Sequence, residues 1–245
     1  MSIYLFYTII LFYIFVVAAR IMRLKRLEAV MCTGAVILNL ILLISLSIRS
    51  GNFPVFTMFE SFLLTTQVMG FLGLISLFCN KESEKIRLWV WLEILLLLII
   101  LIFSKKEPSV PLYDNGYIFI ILFHGFRSIS LGLMFFSSAW FIQFIIQREM
   151  NERTSLLSHQ GRNYLVLSTV FFLSAEYVGM IWCQNGWGDF WMWSRNFFQS
   201  TLIVLYLMLA FHIPGKSRKS EDIRSVIGGL SGFFMLTLIV LRNLF

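Results

Sequence analysis

The chain has 245 residues, of which 58% are hydrophobic and only 13% charged, with a mean hydropathy of +0.81 and a net charge of +7. A soluble domain carries about 25% charged residues and arranges its apolar positions with a helix or strand period, so this composition excludes a soluble globular enzyme. The basic surplus does not indicate nucleic acid either, because the charges fall in short clusters between long apolar runs, where they mark topology.

The apolar runs predict eight spans at 2–19, 28–48, 58–79, 88–104, 116–146, 164–184, 197–213 and 226–242. Backbone polar groups in lipid must be bonded within the segment, so each span is expected to be a helix and the fold an all-α polytopic bundle. No soluble domain, linker or internal repeat is visible, and residues 1–245 are expected to form a single integral membrane domain. The first run lacks a preceding basic region and is followed by Arg20 rather than a small-residue cleavage site, so a retained span is expected. The loops after spans one, three, five and seven hold 14 Lys or Arg, whereas the opposite loops and the C-terminal end hold five: Arg49, Lys105, Lys106, Arg195 and Arg242. The positive-inside rule then puts both termini outside and the basic loops in the cytoplasm.

Polar residues within such spans are functional candidates, because insertion scales charge about 2.5–3.5 kcal/mol for each ion at the bilayer centre. Glu60 and Glu93 are expected to lie near enough to an interface to be hydrated. Arg127 on span five and Glu176 on span six sit at similar depth and are expected to pair. The cysteines, Cys32, Cys79 and Cys183, are isolated and have neither metal-ligand nor disulfide spacing. His159 falls in a hydrophilic loop and is expected to be solvated. His124 lies about 12 Å below the outer end of span five, and His212 at the cytoplasmic end of span seven. Each could serve as a helix-helix or helix-terminus hydrogen-bonding group, or as an axial ligand to haem iron. Residues 215–224 are expected to form a solvated loop.

The most informative segment is 186–197, where Trp187, Trp191 and Trp193 fall within seven positions on the expected outer side, between spans six and seven. Such residues collect at headgroup depth in many membrane proteins; they also suit a flat ligand that stacks on aromatic faces. No His-x-x-x-His, Gly-x-Ser-x-Gly, phosphate-cradling glycine loop or paired outer carboxylates occur, so no catalytic residue is assigned. A transporter would be expected to show symmetric, interrupted spans, and these are continuous.

The tryptophan segment resembles the haem-handling family of cytochrome c biogenesis proteins, in its CcsA/ResC branch, whose signature is Trp-Gly-x-x-Trp-x-Trp-Asp. Trp187, Gly188, Trp191 and Trp193 match in register. Gly179 and Trp182 resemble the Gly-x-x-Trp approach to the motif, and Phe59-Glu60-Ser61 with Phe62-Leu63 resembles an outer Tyr-Glu-Ser-Leu stretch. The resemblance runs from about residue 50 to 242. It implies that the loop at 186–197 is an outer platform for haem b, carried as cargo. His124, within Phe123-His124-Gly125, would be the outer axial ligand, His212 the ligand at the inner position, and Arg195 a partner for a propionate.

The resemblance further implies a system II-like subunit in the bacterial inner membrane, presenting haem on the periplasmic face to the Cys-x-x-Cys-His thiols of an apocytochrome c, beside a CcsB/ResB-like membrane partner. Such a subunit would act as part of a cytochrome c haem lyase, with the thioether chemistry residing in the haem vinyls and substrate thiols. Two departures are plain. Ser194 stands where the signature has Asp, with Arg195-Asn196 following, and a second outer histidine is not found before Phe245. These departures favour an alternative of the same fold, a non-catalytic HemX-like scaffold or regulator of haem metabolism. For the first reading they imply a second ligand from a partner chain or five-coordinate haem.

Overall fold

The computed structural model describes residues 2–78, 81–106, 117–149, 155–188, 195–213 and 218–244. Among them all regular structure is helical: α1 (Ser2–Ile21), α2 (Lys25–Ser50), α3 (Met58–Ser76), α4 (Lys81–Ile102), α5 (Tyr117–Glu149), α6 (Ser155–Trp187), α7 (Arg195–His212) and α8 (Arg218–Leu244). A helix occupies every predicted apolar run. Six of them, α1, α2, α3, α5, α6 and α8, are long and apolar enough to cross a membrane over their described residues. Helix α7 has 18 residues, Arg195–His212, and is apolar over Phe198–His212. Helix α4 opens on Lys81, Glu82, Glu84, Lys85 and Arg87 and carries Glu93 in its interior. Outward surfaces are apolar rather than charged, as with Leu11 and Phe15 on α1 and Ile37, Ile41, Ile44 and Ile48 on α2. A surface of that kind suits a lipid solvent.

The chain forms two compact units, Met1–Asp114 and Asn115–Phe245. In the first, α1 packs on α2 and α4, and α3 packs on the same two helices, closing a ring of four. The buried stripe of α1, Phe6, Ile9, Tyr13 and Val16, recurs at three- and four-residue spacing, as does Ala35, Asn39, Leu42 and Leu46 of α2; Phe6 stands edge-on to Phe59 of α3, and the Asn39 amide donates to the Leu63 carbonyl of α3 at 3.2 Å. Gly51 ends α2 in the left-handed conformation, φ 69°, which a residue without a Cβ adopts freely.

Two glutamates of this unit depart from the expectation of hydrated interfacial groups. Glu60 is fully buried: its Oε2 accepts from the backbone N–H groups of Phe56 and Thr57 at 2.9 and 3.1 Å, while the Thr57 hydroxyl accepts from the Glu60 N–H at 3.1 Å. This capping box satisfies donors that the start of α3 would otherwise leave open. Glu93 is 4% exposed, and neither carboxylate oxygen has a hydrogen-bond partner among the described residues. It falls within the buried stripe Ile86, Val90, Ile94 and Leu97 of α4, so helical phase rather than distance from an interface sets its environment.

Where α1 ends and α2 and α4 begin, Glu28 is buried and accepts from the Trp91 indole N–H at 3.1 Å. Arg87 and Arg20 lie 3.6 and 3.8 Å from the same carboxylate, close enough for ion pairing. Lys25 pairs with Glu84 at 2.8 Å. Glu84 precedes the apolar part of α4, and its hydrogen bond from Lys25 holds its carboxyl below the usual carboxylate range, aided by Arg20. Gly73 of α3 lies against the fully buried Trp91 ring, which leaves no room for a Cβ.

In the second unit α5 is central, packed along α6 and α8, with α7 against α8. Phe141 of α5 lies over Gly161 of α6 and Gly228 of α8; small residues at those positions let three helices approach one large ring. Tyr206 of α7 stacks on Phe234 of α8 at 4.3 Å and donates its hydroxyl to the Ile227 carbonyl at 2.6 Å. Two loop expectations are corrected here. Residues 218–224 belong to α8, where Asp222 pairs with Arg148 of α5. His159 is exposed but helical, because α6 begins at Ser155, and its Nδ1 lies 3.2 Å from the Asn163 amide.

Candidate functional site

The site is built on the first third of α5, where His124 and Arg127 lie three positions apart and so occupy neighbouring positions on the helix surface. Arg127 is 9% exposed. Its Nε and Nη2 donate to Glu176 Oε1 of α6 at 3.0 and 2.6 Å, and Nη2 also donates to the Ser200 hydroxyl of α7. The expected Arg–Glu pair is therefore present, and a third helix is tied into it. Charge-assisted bonds of this kind are about twice as strong as neutral ones, and pairing is what allows either charge to be buried.

Aromatic rings surround the guanidinium. Its carbon lies 4.5 Å from the Phe123 ring centroid and 5.5 Å from that of Phe172, within cation–π range. The Phe123 ring also stands edge-on to the His124 imidazole, with centroids 5.1 Å apart and planes at 79°. A Cβ at Gly179 would come within 2.9 Å of the Phe123 ring. Glycine at that position thus lets α6 close onto the segment that carries His124. The neighbouring Ser128 hydroxyl donates to the His124 carbonyl at 3.0 Å.

Gln199, one residue before Ser200, is 5% exposed, and both its amide nitrogen and oxygen are without a hydrogen-bond partner among the described residues. Gln199 and Ser200 carried a weak signal, as adjacent polar residues at the start of an apolar run.

The tryptophan segment begins at the end of α6. Trp187 is the last residue of that helix, and Gly188 adopts φ 73° with its N–H donating to the Gln184 carbonyl at 3.0 Å. Gly188 therefore has a structural reason to be glycine, as a left-handed helix cap. Trp191 and Trp193 fall in 189–194, outside the described residues, and Arg195 opens α7.

His212, the last residue of α7, is exposed, and its Nδ1 lies 2.8 Å from the Met208 carbonyl oxygen. A carbonyl only accepts, so Nδ1 carries the proton and the neutral ring has its lone pair on Nε2. That tautomer, fixed by a backbone carbonyl, is the form in which histidine ligates metals. The two histidines are not brought together. His124 belongs to the end of the unit where α6 gives way to α7, and His212 to the opposite end of α7, about 25 Å along its axis from Arg195. No family model and no curated protein matches this chain.

Proposed function

We propose that this protein handles haem at the bacterial cytoplasmic membrane and delivers it for c-type cytochrome maturation. In this reading the chain crosses the membrane eight times with both termini outside. Haem b, the cargo, is accepted near His212 and presented on the outer face by Trp187, Gly188, Trp191, Trp193 and Arg195, with His124 as the axial ligand. A CcsB/ResB-like subunit and an apocytochrome c are its partners. The observation that carries the reading is the tie between Arg127 and Ser200. It fastens the turn of α5 that bears His124 to α7, the helix that opens at Arg195, and so supports a reading in which the imidazole serves the segment between α6 and α7. The aromatic and guanidinium groups around His124 are of the kinds that receive a porphyrin face and a propionate.

The test is an absorption spectrum of the detergent-purified protein together with its membrane partner. A Soret band that His124→Ala weakens is expected. A haem-free wild-type preparation, or a band indifferent to that substitution, would overturn the reading.

Ser194 in place of the signature's acidic residue favours a second reading, a HemX-like scaffold or regulator of haem metabolism. Deletion of the gene separates the two: loss of mature c-type cytochromes supports delivery, and their retention supports the scaffold.

A further inference from the structure

The turn between α1 and α2 departs from two local preferences at once. Arg23 holds φ 60°, a left-handed conformation that favours glycine at a helix end, and the Leu24 N–H bonds back across it to the Ala19 carbonyl at 2.9 Å. Lys25 and Arg26 then open α2, where the helix dipole disfavours positive charge. The ion pairs of the fold do not account for these cations. Arg20, Lys25 and Arg87 already surround the carboxylates of Glu28 and Glu84, and that network holds more positive than negative groups without further help. Arg23 and Arg26 are exposed and make no ion pair among the described residues.

Interleaved with the two arginines, the apolar side chains of Ile21, Met22, Leu24 and Leu27 are exposed as well. Both helices that the turn joins are long and apolar enough to cross a membrane. A turn between two such helices belongs at the depth where hydrocarbon gives way to headgroups. There, apolar side chains enter the acyl region and long basic side chains reach toward phosphate. We propose that the α1–α2 turn is a binding surface for anionic lipids, in which Arg23 and Arg26 take headgroup phosphates of the adjoining leaflet while the apolar residues between them lie among its acyl chains. Lys25, whose ammonium is shared with Glu84, contributes less. The surface requires α1 and α2 to span the bilayer and is independent of the haem reading.

The test is native mass spectrometry of the full-length protein released from detergent with phosphatidylglycerol, or with phosphatidylcholine of the same acyl chains, whose headgroup carries its own cation. Each basic residue beside an anionic surface contributes about fivefold in affinity, so the wild type is expected to prefer phosphatidylglycerol on the order of 25-fold. Arg23→Gly combined with Arg26→Gln should bring this preference to within about twofold. Because glycine suits the left-handed turn, the thermal midpoint of that variant should be no lower than that of the wild type; a purely structural role for Arg23 would lower it. Where the double variant does not fold, Arg26→Gln alone should cut the preference about fivefold. Equal retention of the two lipids by the wild type, or a preference that survives these substitutions, overturns the proposal. Glycerol 3-phosphate bound as tightly as the lipid also overturns it, since the site would then be one for a free anion.

Discussion

Nη2 of Arg127 in α5 lies 2.6 Å from Oε1 of Glu176 in α6, and the same nitrogen reaches the Ser200 hydroxyl of α7. One guanidinium thus joins three helices at the end of the second unit where the tryptophan segment begins.

Removing one member of that pair is expected to be far worse than removing both. Glu176→Ala leaves a largely buried guanidinium without its carboxylate and should destabilise the protein by about 3–5 kcal/mol. The double replacement Arg127→Met with Glu176→Leu should recover most of that loss, because no charge is then left buried. Unfolding midpoints in mixed dodecylsulfate and mild-detergent micelles measure both; a double variant no better than Glu176→Ala would contradict the pairing argument.

Gly73→Ala places a methyl group against the Trp91 ring, which is fully buried and bonded through its N–H to Glu28. The ring or the α3 backbone must shift, at a cost of about 1–3 kcal/mol for overpacking. A lowered thermal midpoint with altered tryptophan emission is expected, and an unchanged midpoint would show that the α3–α4 contact is looser than described.

Glu84 contributes an acid-sensitive term to stability. Its folded carboxyl is held below the usual range by the hydrogen bond from Lys25, aided by Arg20, whereas in the unfolded chain it titrates near about 4.3. Because the folded value is the lower one, the contribution is complete above that unfolded value and is lost as pH falls through the folded one. The carboxylate is about one third exposed, 32%, so solvent screening keeps the effect small. Thermal midpoints below about pH 4.5 should fall less steeply in Glu84→Gln than in the wild type; parallel curves would refute the assignment.

His212 is exposed at a helix end, so His212→Ala should change stability by no more than about 0.5 kcal/mol. If the imidazole receives haem at the inner end, the same variant should lose a large part of its copurified haem in a pyridine haemochrome assay. Unchanged haem content with unchanged stability would remove His212 from the path.

Composition and hydropathy were enough to give the all-helical class and the apolar core of each described helix, since an apolar run long enough to span lipid has one way of bonding its own backbone; the polar first turns of α4, α6 and α8 extend beyond the predicted runs. Even the Arg127–Glu176 pair was legible, because two charges at equal depth on successive antiparallel helices have few other partners. Single residues were read less well. Glu60 and Glu93 look alike in sequence, each a carboxylate near the end of an apolar run, yet one caps α3 and the other lies within the buried stripe of α4. Helical phase and the approach of neighbouring helices decide burial, and neither follows from distance to a predicted interface.

By itself, then, the sequence determined where the apolar cores of the helices are. Only the tertiary structure decided that Ser200 of α7 joins the Arg127–Glu176 pair, that the Gln199 amide is buried with no hydrogen-bond partner among the described residues, and that Nδ1 of His212 lies against the Met208 carbonyl. Hydropathy is a property of each segment in its solvent and can be read along the chain. A partnership such as that of Arg127 with Ser200, 73 residues apart, depends on how the helices rotate and close on one another, which packing alone selects.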